Sequence, residues 1–279
     1  MEKKIFLLGL GCQKAGTTWL YSLISKSKNT NMGFLKEYHV LDAASIKELK
    51  YFKVRIVDFL RSHELFQIRK MQKNLDIYVS YFSGLLMKDE VRVSGDLTPS
   101  YSTLKYDTIH KVIDKFSKNK IKTKSIILIR EPMSRALSSY KMNIHRGNCT
   151  EIPSKFLTEN GFVDYFLSTQ CELRGQYEKT IEVAKSAFNN NDLLVIFYEE
   201  LFFPDTIKQI SSFLGVDLDE NFGNVYINKG KSDDAFKLSS DASLKFYKHY
   251  QETYRYIRDE YPDKYKLWFS EQSKGNPYL

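Results

Sequence analysis

Residues 9–18 read Gly-Leu-Gly-Cys-Gln-Lys-Ala-Gly-Thr-Thr and follow directly on the apolar run Ile5-Phe6-Leu7-Leu8. A strand running into a glycine loop and then a helix presents free backbone N–H groups at a positive dipole end, a ready anion site. Gly11 and Gly16 have the glycine spacing of a phosphate-binding loop. The usual Lys-Ser/Thr that closes such a loop is replaced by Thr17-Thr18, and the lysine lies inside the loop as Lys14. The loop is therefore expected to grip a phosphate-like group, with Lys14 near the bridging oxygen, and a magnesium triphosphate is not required.

Three further polar clusters fall after expected strands. They are Lys36-Glu37-Tyr38-His39 with Asp42, then Asp96-Leu97-Thr98-Pro99-Ser100-Tyr101, then Arg130 with Ser138 eight residues on. Arg135 reads as a structural ion-pair residue, Ser139 as solvent-facing and Asp42 as a helix N-cap. Arg174-Gly175-Gln176-Tyr177 reads equally as a wall of an acceptor cleft or as a turn at Gly175.

The elements that must position these groups are legible as alternating patterns. Strands are expected at 5–9, 30–34, 91–95, 125–129 and 193–197, the last two as apolar runs buried on both faces. Helical patterning follows the glycine loop and recurs at 44–75, 107–118, 176–188, 207–214 and about 235–272. Pro132 is placed to open a helix and Gly215 to close one. Residues 76–82 read as an aromatic helix or loop over the cleft. Strands alternating with helices imply an α/β fold, a parallel sheet with helices on both faces and its site at the strand C-termini. No linker or repeat marks a boundary, so residues 1–279 are expected to form a single domain.

With these residues in view, the sequence resembles the P-loop sulfotransferases, which use 3′-phosphoadenosine 5′-phosphosulfate (PAPS) as donor. Gly-Cys-Gln-Lys-Ala-Gly-Thr-Thr-Trp-Leu is similar to the 5′-phosphosulfate loop, implying donor contacts from Lys14, Ala15, Gly16, Thr17, Thr18 and Trp19. Ser125 to Tyr140 resembles the 3′-phosphate motif, which assigns the clamp to Arg130 and Ser138. Asn228-Lys229-Gly230-Lys231 lies where the family has a basic glycine loop, placing Lys229 and Gly230 at the donor. Lys36-Glu37-Tyr38-His39-Val40-Leu41-Asp42 is similar to the Lys-Glu-x-His-x-x-Asp of heparan-type glycan sulfotransferases. That likeness implies Glu37 as catalytic base, with His39 and Asp42 supporting the acceptor side; Lys36, Asp96 and Arg174 are also expected at the acceptor. The segment at 96–101 departs from the group's pattern, because its lysine is Leu97 here.

The implied fold is the nucleotide-kinase-like P-loop sulfotransferase fold, and the implied reaction moves a sulfuryl group to a hydroxyl or amine of a glycan-like acceptor. The residue types suit it without the name. A carboxylate can take the acceptor proton, and a lysine with loop amides can stabilise charge on the leaving phosphate. No metal-ligand cluster is seen and none is needed for this transfer. A P-loop kinase or nucleotide hydrolase is a rival reading, disfavoured by Thr17 where the phosphate-gripping lysine should stand. A non-enzymatic binder of 3′,5′-phosphoadenosine (PAP) would keep the clamp and dispense with Glu37.

Composition narrows the remaining classes. The chain carries a formal charge of +8 with 42% hydrophobic residues, which allows a buried core and a polyanionic ligand. Its lysines are scattered and form no nucleic-acid motif. Three cysteines, Cys12, Cys149 and Cys171, make no metal spacing and are expected as free thiols, with a Cys149–Cys171 bond as the alternative. No apolar stretch reaches the length of a membrane span and no signal peptide is visible, so a cytoplasmic location is expected.

Overall fold

Four short apolar runs make the sheet: β1 (Ile5–Gly9), β2 (Val93–Asp96), β3 (Lys122–Ile129) and β4 (Leu193–Phe197). All pair in parallel, in the order β2-β1-β3-β4. Every residue of β1 and β2 is buried, as is Ser125–Ile129 of β3. Successive strand residues point to opposite faces, so unbroken burial means both faces are covered. The computed structural model describes residues 4–59, 62–147, 156–225 and 236–269.

Between β1 and β2 lie α1 (Thr17–Ser25), α2 (Leu41–Ser45), α3 (Ile56–Phe59), α4 (His63–Lys73) and α5 (Leu75–Leu86). α6 (Tyr106–Lys118) joins β2 to β3. α7 (Pro132–Arg146), α8 (Glu159–Phe166), α9 (Thr169–Gly175) and α10 (Tyr177–Ala187) precede β4. α11 (Pro204–Leu214), α12 (Ser240–His249), α13 (Gln251–Glu260) and α14 (Pro262–Tyr265) follow it. The α/β alternation and the parallel sheet expected from the sequence are both present.

Three local expectations change. Residues 30–34 form no strand. Only Thr30 bridges Val93, because Gly33 takes a left-handed φ of 78° and the Asn31 side chain accepts its N–H in an Asx turn. The pattern at 44–75 is broken into short helices. Ile46 is extended after α2, Ser62 caps α4 through Leu65 N, and Asn74 ends α4 while capping α5 through Asp76 N. The 76–82 segment lies within α5, and its aromatics are core. Phe6 of β1 stacks on Phe116 at 4.0 Å and meets Tyr78 and Phe82 at 5.9 and 5.0 Å.

The strand order positions the site. From β1 the chain goes to β2 on one side, then crosses to β3 on the other side of β1. Connections leaving β1 and β3 therefore diverge, opening a crevice at their C-terminal ends, where α/β sheets bind ligands. The glycine loop leaves β1 at this point and Arg130 leaves β3 there. Pairing continues into the loop, with Leu10 N donating to Ile126 O (3.0 Å) and Cys12 N to Leu128 O (2.8 Å).

On the other edge of β1, Gly95 lets β2 approach closely. A Cβ there would lie 2.3 Å from Leu7 O, a backbone atom that cannot step aside. Gly95→Ala should therefore cost about 1–3 kcal/mol. The check is a lower urea midpoint at an unchanged slope.

Candidate active site

The glycine loop closes on α1, whose first turn has no side-chain cap. Its N–H groups are thus left to the crevice. Gly16 takes φ 92° at the helix entry, and a Cβ there would lie 2.4 Å from Leu201 Cδ2. Lys14 also takes a left-handed φ of 70°, unusual for a residue with a Cβ. Its ammonium lies 3.8 Å from Met142 Sδ on α7. Burial first, then the charges of Arg130, Arg146 and Lys36, hold the Lys14 pKa below its ordinary value. The lysine therefore sits among cations, an arrangement that favours a bound polyanion.

Arg130 is aimed by three contacts. Its Nη1 donates to Lys14 O at 3.4 Å, its guanidinium lies 4.4 Å from the Tyr198 ring centroid, and its carbonyl accepts from Tyr177 Oη at 2.8 Å. α7 begins just beyond it, with Pro132 in the first turn and the Glu131 carboxylate accepting from Met133 N and Ser134 N. Ser138 stands half-buried on the second turn of α7. Ser139, expected at the surface, is instead fully buried. It donates to Gln13 Oε1 (2.8 Å) and accepts from Tyr165 Oη (2.7 Å), tying the loop to α7.

The second cluster forms where the chain climbs from Lys36 into α2. Lys36 Nζ pairs with Glu37 Oε1, and Glu37 Oε2 lies 3.6 Å from His39 Nε2. His39 Nδ1 is 2.7 Å from Asp42 Oδ2, which also accepts from Ser100 Oγ. Burial pulls the His39 pKa down, but hydrogen bonds to Asp42 and Glu37 outweigh it and raise it to about 9. Burial raises that of Glu37, but the His39 hydrogen bond and Lys36 outweigh it and bring it down to about 2. Glu37 and His39 thus form a carboxylate–imidazolium pair near neutral pH, with Lys36 at one end and Asp42 hydrogen-bonded to the far side of the imidazole.

Several expected site residues take supporting places. Asp42 is wholly buried as the second residue of α2, whose N-cap is Val40; its Oδ1 accepts from Ala43 N. Asp96 is also wholly buried. Its Oδ1 accepts from Thr98 N and Oγ1, and its Oδ2 from Tyr78 and Tyr101 Oη at 3.1 and 2.7 Å. Burial raises the Asp96 pKa to about 6. With its oxygens enclosed this way, Asp96 braces the segment at 36–42 and has no surface to offer an acceptor. Tyr101 Oη in turn accepts from Val40 N and Leu41 N, and Thr98 Oγ1 from Tyr38 N.

Arg174 is 3% exposed and donates to Tyr51 Oη at 3.0 Å. Trp19 is core: its Nε1 donates to Val225 O and its ring packs on Phe202 and Phe222. Ala15 and Thr17 are buried in the loop and its helix, and Thr18 is half-buried. Leu97, at the resembled lysine's position, is buried against Gly9. Lys229 and Gly230 lie outside the described residues, as does Cys149, while Cys12 and Cys171 are buried free thiols. Arg135 is wholly buried and donates to Cys171 O and Sγ, so its partner is not a carboxylate there.

Sequence reading missed Met142, Arg146 and Phe52. A signal existed for the first two, since Ser138, Met142 and Arg146 recur every four residues along α7 and so share a face. Phe52, stacked on His39 with ring centroids 3.6 Å apart, carries no local signal. Among the described residues, no His, Cys, Asp or Glu group is arranged to hold a metal ion, and no helix is long and apolar enough to cross a membrane.

Comparison with known proteins bears on this crevice. The sulfotransferase from Alicyclobacillus acidocaldarius shares 17% identity over 93% of this chain and 95% of its own, with a TM-score of 0.59. The sulfotransferase domain of the Synechococcus PCC 7002 olefin synthase shares 17% over 88% and 86%, with a TM-score of 0.51. At such identities the likeness speaks to the fold. No curated protein matches the sequence. The family model described as the sulfotransferase domain matches residues 2–275, nearly the whole chain, and the chain therefore belongs to the sulfotransferase family.

Proposed function

We propose that this sulfotransferase moves the sulfuryl group of PAPS to a hydroxyl, or an amine, of a glycan-like acceptor, with Glu37 as general base. One observation carries the reading: the Lys14–Arg130 cationic crevice lies at the sheet's switch point, and Lys36, which contributes to the potential at Lys14, is directly paired with Glu37. In this reading Arg130 and Ser138 hold the 3′-phosphate, while the loop amides from Ala15 to Thr18 and Lys14 hold the 5′-phosphosulfate. Glu37 accepts the acceptor proton as the acceptor oxygen attacks sulfur. The bond from sulfur to the phosphate oxygen breaks, and Lys14 neutralises the charge that PAP carries away.

Glu37 is a weak base at a pKa of about 2. An anionic donor beside it, competing for Lys36, raises that value, because a nearby negative charge disfavours the carboxylate. Base strength is thus gained when donor is bound. The resemblance of residues 36–42 to the heparan-type motif supports a glycan acceptor. Leu97, buried where that group has lysine, sets this chain's acceptor contacts apart from a heparan-like set.

Arg130→Ala should weaken binding of PAP far more than binding of adenosine 5′-phosphate, which lacks the 3′-phosphate. Equal losses in calorimetry would remove Arg130 from the clamp.

Glu37→Gln keeps size and removes the proton acceptor. Turnover on an acceptor found by screening a glycan library with labelled PAPS should fall by roughly two to four orders of magnitude, with PAP binding intact. Near-normal turnover would pass the base role to another group.

The charged pair also predicts a pH signature. His39 has a raised pKa, about 9 against an ordinary 6.5, so its stabilisation is complete below about 6.5 and lost as pH rises through about 9. Glu37 is lowered, so its stabilisation is present above its ordinary 4.5 and lost as pH falls toward about 2. The urea midpoint of the native chain should therefore drop more between about pH 6.5 and 9 than that of His39→Asn. Parallel profiles would show that His39 is not held as an imidazolium.

A further inference from the structure

His39 carries a left-handed φ of 49° although it has a side chain. Such a backbone is strained and persists only where its surroundings over-determine it. The His39 N–H donates to Thr98 Oγ1 at 3.3 Å. Its carbonyl accepts from Gln72 Nε2 at 2.8 Å. The same Nε2 donates to Phe52 O at 3.0 Å, and Gln72 Oε1 accepts from Val54 N at 3.0 Å. One amide on α4 thus joins the carbonyls of two residues far apart in sequence.

The rings of those two residues are stacked, with centroids 3.6 Å apart and planes 12° from parallel. Main chain and ring therefore fix His39 to Phe52 at two points. The clamp leaves the imidazole edge free to point Nδ1 at Asp42 and Nε2 at Glu37. Turning the ring about its plane normal would break both contacts, and tilting it would lose the stack. Only glutamine suits position 72 in this pattern, because two carbonyls need a donor and one N–H needs an acceptor. Glutamate would place acceptors against both carbonyls.

We infer that Gln72 and Phe52 are positioning residues for the transfer, acting through His39 to hold the Glu37 carboxylate toward the acceptor. The hydrogen bonds and ring contact that hold them run to His39, Phe52 and Val54. The inference rests on the reading of Glu37 as base. A residue that merely pinned the loop would affect folding and leave the imidazole's orientation alone, so the two roles separate by measurement.

The test uses the full chain, saturated with PAP for the resonance measurements and supplied with PAPS and no added PAP for turnover. The imidazole Cε1–H resonance of His39 is assigned by its disappearance in His39→Asn. In the native chain the Phe52 ring current should displace it from the position of an unstacked imidazole. Gln72→Met, similar in size but without donor or acceptor, should move it toward the unstacked position. PAP release from PAPS, with the acceptor returned by the glycan screen, should fall about 10- to 100-fold in kcat, the cost of misplacement on the ångström scale, with PAP affinity unchanged. If Gln72→Met fails to fold, Phe52→Leu tests the same clamp, since it removes the stacked face and keeps the Gln72 amide. A folded, PAP-binding variant with native kcat, or with its His39 resonance still at the native position, overturns the inference. Native kcat in Glu37→Gln would instead overturn the base reading, and the resonance would still report on the clamp.

Discussion

Parallel pairing of β1 with β3 is the constraint on which the site depends. It continues past the strand ends, where Leu10 and Cys12 keep bonding to Ile126 and Leu128 while the chain turns into the loop. This extension locks the loop's register to β3, so that Arg130, the residue after β3, reaches Lys14 O. Gly11 is part of the same constraint, because a Cβ there would lie 3.1 Å from Leu128 N. A change that moved the two strands apart would separate Lys14 from Arg130.

A second scaffold holds the segment at 36–42 against β2. Asp96 gathers two tyrosine hydroxyls and Thr98, and those partners reach the backbone N–H groups of Tyr38, Val40 and Leu41. Buried polar networks stabilise one geometry only when their members are satisfied. Asp96 meets that condition through side chains from α5, the β2 end and the turn at Pro99–Thr103. The Lys14–Arg130 crevice and the segment at 36–42 are therefore braced by the two strands that flank β1, β3 on one side and β2 on the other.

The electrostatics divide the same way. Around Lys14, burial first and then neighbouring cations lower its pKa, and the cations leave positive potential for an anion. Around His39 the charges alternate in sign, and hydrogen bonds hold the His39 imidazolium and the Glu37 carboxylate in their charged forms. Lys36 belongs to both sets. Under the proposed roles, an anion bound at Lys14 and the base strength of Glu37 are linked through that shared lysine by distance and sign.

Much of this was legible in the sequence because it is local. An apolar run into a glycine loop, a buried run ending at Arg130, and Pro132 opening a helix depend on neighbours within a few residues, and each was placed correctly. The succession of strands and helices implied a parallel sheet because parallel strands need crossovers. The errors at 30–34 and 44–75 were also local in origin: Asn31, Ile46, Ser62 and Asn74 broke apolar patterns through side-chain caps and turns that periodicity does not register. What only the tertiary structure decided is which polar groups are spent and which are offered. Asp96 reads like a site carboxylate until Tyr78 and Tyr101 are seen to enclose it, and Ser139 reads like a surface residue until it meets Gln13 and Tyr165. The clamp on His39 joins positions 39, 52 and 72, which share no motif and meet only because α2, the turn at Lys47–Phe52 and α4 fold back on one another. Hydrogen-bond satisfaction and burial are properties of three-dimensional neighbours, so residue type and spacing along the chain cannot encode them alone.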